Sequence, residues 1–99
     1  MVKRVVWSPR AQIERKEILD FWFKRNKSKS YPRKLNLLFK EAINLIIDYP
    51  EIGKPTDLDN VRAKIIRDYI MFYESNEDEL FILSIWDTRQ NPENLEFKL

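Results

Sequence analysis

The spacing of hydrophobic positions changes twice along this chain. In "VKRVVW", Val2, Arg4 and Val6 fall on one side and Lys3, Val5 and Trp7 on the other, which predicts a first β-strand. Ser8 then stands where a hydroxyl can cap a helix, and Pro9 at the first helical position, where its missing N–H costs nothing. The predicted helix runs to about Arg25. Ala11, Ile18, Phe21 and Trp22 lie near its core face with Leu19 beside them, and Arg15, Lys16 and Lys24 face water. After the polar link "NKSKS", Leu35, Leu38, Phe39, Ala42, Leu45, Ile46 and Tyr49 keep i, i+3, i+4, i+7 spacing and define a second helix.

Pro50, Gly53 and Pro55 in "YPEIGKPTDLDN" end that helix and make a loop. From Val61 the pattern is that of strands: "VRAKIIR", "YIMFYES" and "ELFILSIW", the last two joined by a hairpin turn at "NEDE". Such close spacing predicts antiparallel neighbours. In the last run Phe81, Leu83 and Ile85 alternate with Leu80, Ile82 and Trp86, apolar on both faces, which places this strand centrally. The expected architecture is one α+β domain over residues 1–99: an N-terminal strand, a two-helix hairpin, then three antiparallel strands forming a small sheet packed on the helices.

Composition narrows the chemistry. The chain has no cysteine and no histidine, so disulfides, thiolate nucleophiles and the commonest zinc ligands and general bases are excluded. No cofactor or metal is expected. No apolar run reaches the roughly 18 to 20 residues that cross a bilayer, and "MVKRVVWSPR" lacks a signal-peptide core, so the expected location is the cytoplasm, away from membranes. The net charge of +2 hides an asymmetry: residues 1–40 carry 12 Lys+Arg against 3 Asp+Glu, and the rest of the chain is acidic. Cations are densest at "KRNKSKSYPRK", Lys24 to Lys34, a stretch that suits a polyanion or an acidic protein partner as well as a solvated helix end.

Candidate chemistry lies on the strands. Alternation puts Arg62 and Lys64 on one face, where two cations can clamp a phosphate or a carboxylate, or simply pair with nearby acids. Tyr69 and Tyr73 share a face of the next strand, and Tyr73 is a candidate proton donor or stacking ring. If the last strand is central, Asp87 to Asn91 emerge beside the basic strand and Arg89 adds a third cation to that end. Pro92, Glu93 and Asn94 suit a closing turn.

The element order and three segments, "VVWSPRAQIE", "VRAKIIRDYIMFYE" and "ILSIWDTRQNP", resemble the RelE/ParE superfamily of bacterial toxins from type II toxin–antitoxin pairs, over almost the whole chain. That resemblance implies a growth-inhibiting toxin neutralised by a cognate antitoxin. RelE-like members cut mRNA on the ribosome without metal, and ParE-like members poison DNA gyrase. For cleavage, Arg62 and Lys64 match the basic positions of the first middle strand, Arg89 approximates the late arginine, and Tyr73 is available as an auxiliary. The departures are Ile70, where ribonuclease members place an arginine, and the lack of any histidine or tyrosine after Tyr73. They shift the expectation toward ParE-like action on gyrase. The alternatives are a ribosome-dependent mRNA endonuclease and an inactive binding module.

Overall fold

The computed structural model describes residues 3–90. The expected elements form in the expected order: β1 (Arg4–Trp7), α1 (Pro9–Asn26), α2 (Ser30–Asp48), β2 (Lys54–Pro55), β3 (Val61–Ile66), β4 (Tyr69–Ser75) and β5 (Glu79–Asp87), with the short β2 added in the expected loop. Ser8 caps α1 as its position predicts. Its Oγ accepts the Ala11 N–H at 3.0 Å and donates to the Leu83 carbonyl at 2.8 Å, so one hydroxyl starts the helix and ties it to the sheet.

The five strands form one mixed sheet in the order β1-β5-β4-β3-β2. β2–β3, β3–β4 and β4–β5 are antiparallel, whereas β1 runs parallel to β5, with Val6 opposite Phe81. β5 is therefore an interior strand, as its two apolar faces require, and β4 takes the middle position. β2 falls in the expected loop; Pro55, with no N–H to donate, sits on an edge strand where that loss is tolerated.

The two helices cover one face of the sheet. Leu35, Phe39 and Ile46 of α2 and Ala11 of α1 pack there against Met71, Tyr73, Leu80 and Ile82, all at 1% exposure or less. Val61, Ala63, Ile70, Phe72 and Trp86 form a second apolar cluster on the other face. Strict alternation fails in β5. A register shift between Phe72 and Tyr73 inserts an extra residue in β5, so Ile85 joins Leu80 and Ile82 on the helix side while Trp86 and Leu83 join the other cluster. Ser84, beside the irregularity, is buried and donates to Glu14 of α1 at 2.9 Å.

Several side chains also depart from expectation. Phe21, Leu45 and Tyr49 stay exposed, Ile43 is buried in the core, and the Arg15 guanidinium lies over the Trp7 ring at 4.6 Å. Pro92, Glu93 and Asn94, with their expected turn, lie outside the described residues.

Candidate functional site

The cations of β3 face the helix side of the sheet but do different things. Arg62 is opposite Tyr73, and its Nη1 donates to the carbonyls of Gly53 at 2.8 Å and Glu51 at 3.2 Å. Lys64, opposite Met71, borders a shallow surface groove of ≈ 340 Å³ with Leu38, Leu45 and Arg67. Thus one of the two secures the loop before β2, and the other stands at the surface.

Tyr73 secures the same loop. It is 1% exposed, its hydroxyl donates to the Pro50 carbonyl at 2.8 Å and accepts the Gly53 N–H at 2.9 Å, and burial pushes its pKa above the ordinary value of 10.0. Both hydrogen-bonding directions of the phenol are therefore occupied by backbone. An open cleft of ≈ 520 Å³ lies over this corner, with Lys3, Glu51, Arg62 and Glu77 among its lining residues.

Arg89 lies elsewhere. Asp87 is opposite Tyr69, four residues along β4 from Tyr73, which corresponds to about 13 Å of strand. Arg89 does not join Arg62 and Lys64, because Asp87 and Arg89 leave the sheet at the end of β4 remote from the Arg62–Tyr73 pair. Its guanidinium instead closes a bidentate pair with Asp87 at 2.9 and 2.8 Å and lies 5.4 Å from the Trp22 ring and 5.8 Å from that of Phe21. The pair holds Asp87 below the usual carboxylate range and makes Arg89 still harder to deprotonate. Beside it, Trp22 Nε1 donates to the Tyr69 hydroxyl at 2.7 Å. A cleft of ≈ 330 Å³ opens here between α1 and β5, lined by Glu14, Glu17, Phe21, Trp86 and Arg89 among others.

The structure thus brings Arg62 and Tyr73 together, leaves Lys64 on their flank, and sets Arg89 in a separate aromatic corner. Sequence reasoning missed that corner because Trp22 read as a core residue and Tyr69 only as a partner of Tyr73 on one strand face, and nothing in the sequence pairs either of them with Arg89. Chemically, the β3–β4 corner offers bound carbonyls and a buried phenol, and the Arg89 corner offers an already neutralised guanidinium on an aromatic bed. Among the described residues, no group of three or more carboxylates is placed to hold a metal ion, and no helix is long and apolar enough to cross a membrane.

This fold has a counterpart among solved structures. A chain from the chromosomal ParDE toxin–antitoxin system of P. aeruginosa superposes with a TM-score of 0.74 at 15% identity, covering 89% of this chain and 98% of that one. At that identity the likeness speaks for the fold. No curated protein matches the chain in sequence. The sequence model described as "ParE toxin of type II toxin-antitoxin system, parDE" matches residues 5–92. The chain belongs to the ParE toxin family of type II toxin–antitoxin systems.

Proposed function

We propose that this ParE-family chain arrests growth by poisoning DNA gyrase and is held inactive by a cognate antitoxin. The observation that carries this reading is the separation of the residues a ribonuclease would need in one place. Arg62 and Tyr73 are engaged by the backbone of one loop, while Arg89 is paired with Asp87 at the far end of β4. RNA cleavage through the 2′-hydroxyl needs a proton acceptor, a proton donor and a cation converging on one phosphate. Binding a large enzyme has no such requirement.

The test is inducible expression of the chain, alone and with Arg62→Ala/Arg89→Ala, with growth, mRNA integrity and plasmid supercoiling read from the same cultures. The expected result is arrest with altered supercoiling and intact mRNA, reversed by co-expression of the antitoxin. Cut mRNA would overturn this reading in favour of the endonuclease, and unimpeded growth would leave a binding module.

A further inference from the structure

The basic stretch at the turn of the helical hairpin has no part in the arrangement above. Between Asp20 and Glu41 the chain has seven cations, Lys24, Arg25, Lys27, Lys29, Arg33, Lys34 and Lys40, and no acid. All seven are exposed, and among the described residues none forms an ion pair. The ordinary structural account covers only part of this set. Lys24 and Arg25 sit in the last turn of α1, where cations complement the helix dipole. Lys29, Arg33 and Lys34 surround the first turns of α2, the positive end of a helix that has no acid in its first turn and no side-chain cap. There they oppose the dipole, so helix stability does not account for them.

The tip is also held in shape. Trp22 of α1 and Tyr31 of α2 pack edge to face at 4.8 Å, Arg25 lies 5.8 Å from the Trp22 ring, and Lys27 takes a left-handed conformation that turns the chain from one helix into the next.

We propose that this tip binds the phosphate backbone of double-stranded DNA independently of sequence. Charge without an apolar receptor favours phosphates over a protein segment: none of the three clefts described above is lined by a residue from Lys24 to Lys34, whereas a bound peptide needs apolar anchor sites. Duplex is favoured over single strands because a single strand needs a row of open aromatic faces. Here Tyr31 is packed on Trp22, and the exposed rings of α1, Phe21 and Phe23, stand two positions apart on different sides of the helix, so they form no row.

The proposal goes beyond the gyrase reading and does not depend on it, because the assay contains no topoisomerase. The full chain is titrated onto a fluorescently labelled DNA duplex over a series of salt concentrations, with anisotropy as the readout. The logarithm of the affinity is expected to fall linearly with that of salt. Lys24→Gln/Lys29→Gln/Lys34→Gln is expected to flatten the slope by about 0.9 per lost contact and to weaken low-salt binding by roughly tenfold or more. Lys54→Gln/Lys64→Gln, on the β2–β3 edge, is expected to keep the wild-type slope. Absence of binding at low salt, an unchanged slope in the tip variant, or preferential binding of polyglutamate or of duplex RNA would overturn it.

Discussion

The Tyr73 hydroxyl accepts the Gly53 N–H at 2.9 Å, and a Cβ placed on Gly53 would stand 2.7 Å from that same oxygen. Hydrogen bond and glycine therefore require each other: the bond needs an approach that only a residue without a side chain allows. Tyr73→Phe leaves the buried Gly53 N–H without its partner and should destabilise the fold by about 1–3 kcal/mol. Gly53→Ala should cost about 1–3 kcal/mol through overpacking, since the Ala63 carbonyl stands 3.0 Å away on another side. The double variant should lose less than the sum, because removing the hydroxyl opens part of the space the methyl needs. Urea midpoints of the four proteins check this, and strict additivity would count against it.

Arg62 and Lys64 should separate cleanly. Arg62→Ala removes the bonds to the Gly53 and Glu51 carbonyls and should lower stability by about 1 kcal/mol. Lys64→Ala should stay within about 0.5 kcal/mol of wild type. Lys64→Ala is thus the more informative functional probe: on the gyrase reading its growth arrest persists, whereas loss of arrest at unchanged stability would implicate the β3 surface directly.

Asp87 gives the acid limb a specific contributor. Its carboxyl is held below the ordinary 3.8, chiefly by the Arg89 hydrogen bonds. A depressed carboxylate contributes stability that is fully present above pH 3.8 and is lost as pH falls through its lowered folded value. The pair is partly exposed, so the contribution should be below about 1 kcal/mol. Arg89→Ala should lower stability at neutral pH and narrow its gap to wild type as pH falls below that window, which denaturation at a series of pH values would show.

Tyr69 and Tyr73 set the alkaline limb. Burial raises both above the ordinary 10.0, and the Trp22 N–H partly offsets this at Tyr69. For acids whose folded values are raised, stability is intact below pH 10.0 and declines as pH rises past it, because the unfolded phenols ionise first. Trp22→Phe should move Tyr69 higher still. Phenolate absorbance on alkaline titration of the folded variant is the measurement, and a downward move would contradict the arrangement.

Much of the fold was legible because local signals agreed. Ser8–Pro9 marked the start of α1, and the period of Leu35, Leu38, Phe39, Ala42 and Ile46 marked the inner face of α2. The inward ends of that pattern were harder to read: Leu45 and Tyr49 continue the period but stand exposed, since a helix's apolar stripe is defined by what it meets and not by its spacing. The β5 irregularity was hidden because the residues around it other than Ser84 are apolar, so a shift by one position leaves the pattern looking unbroken. Ser84, the one polar interruption, was the available sign, and its partner Glu14 lies 70 positions away in sequence. The candidate residues failed to converge for a related reason: alternation gives the face of a side chain but not its position along the sheet. Arg89 could be assigned to a strand end, but only the pairing register shows that this end is remote from Arg62.

The parallel seam between β1 and β5 has a consequence for synthesis. Arg4–Trp7 has its hydrogen-bonding partners in Glu79–Ile82, so β1 must wait for β5. Nascent helices can form at once, but the sheet closes only after β5 has emerged, a long-range step of the kind that slows folding. A ribosome that stalls before Glu79 therefore releases a fragment with β1 unpaired and no completed sheet. On the growth-arrest reading proposed above, this chain order withholds the finished sheet until β5 has been made.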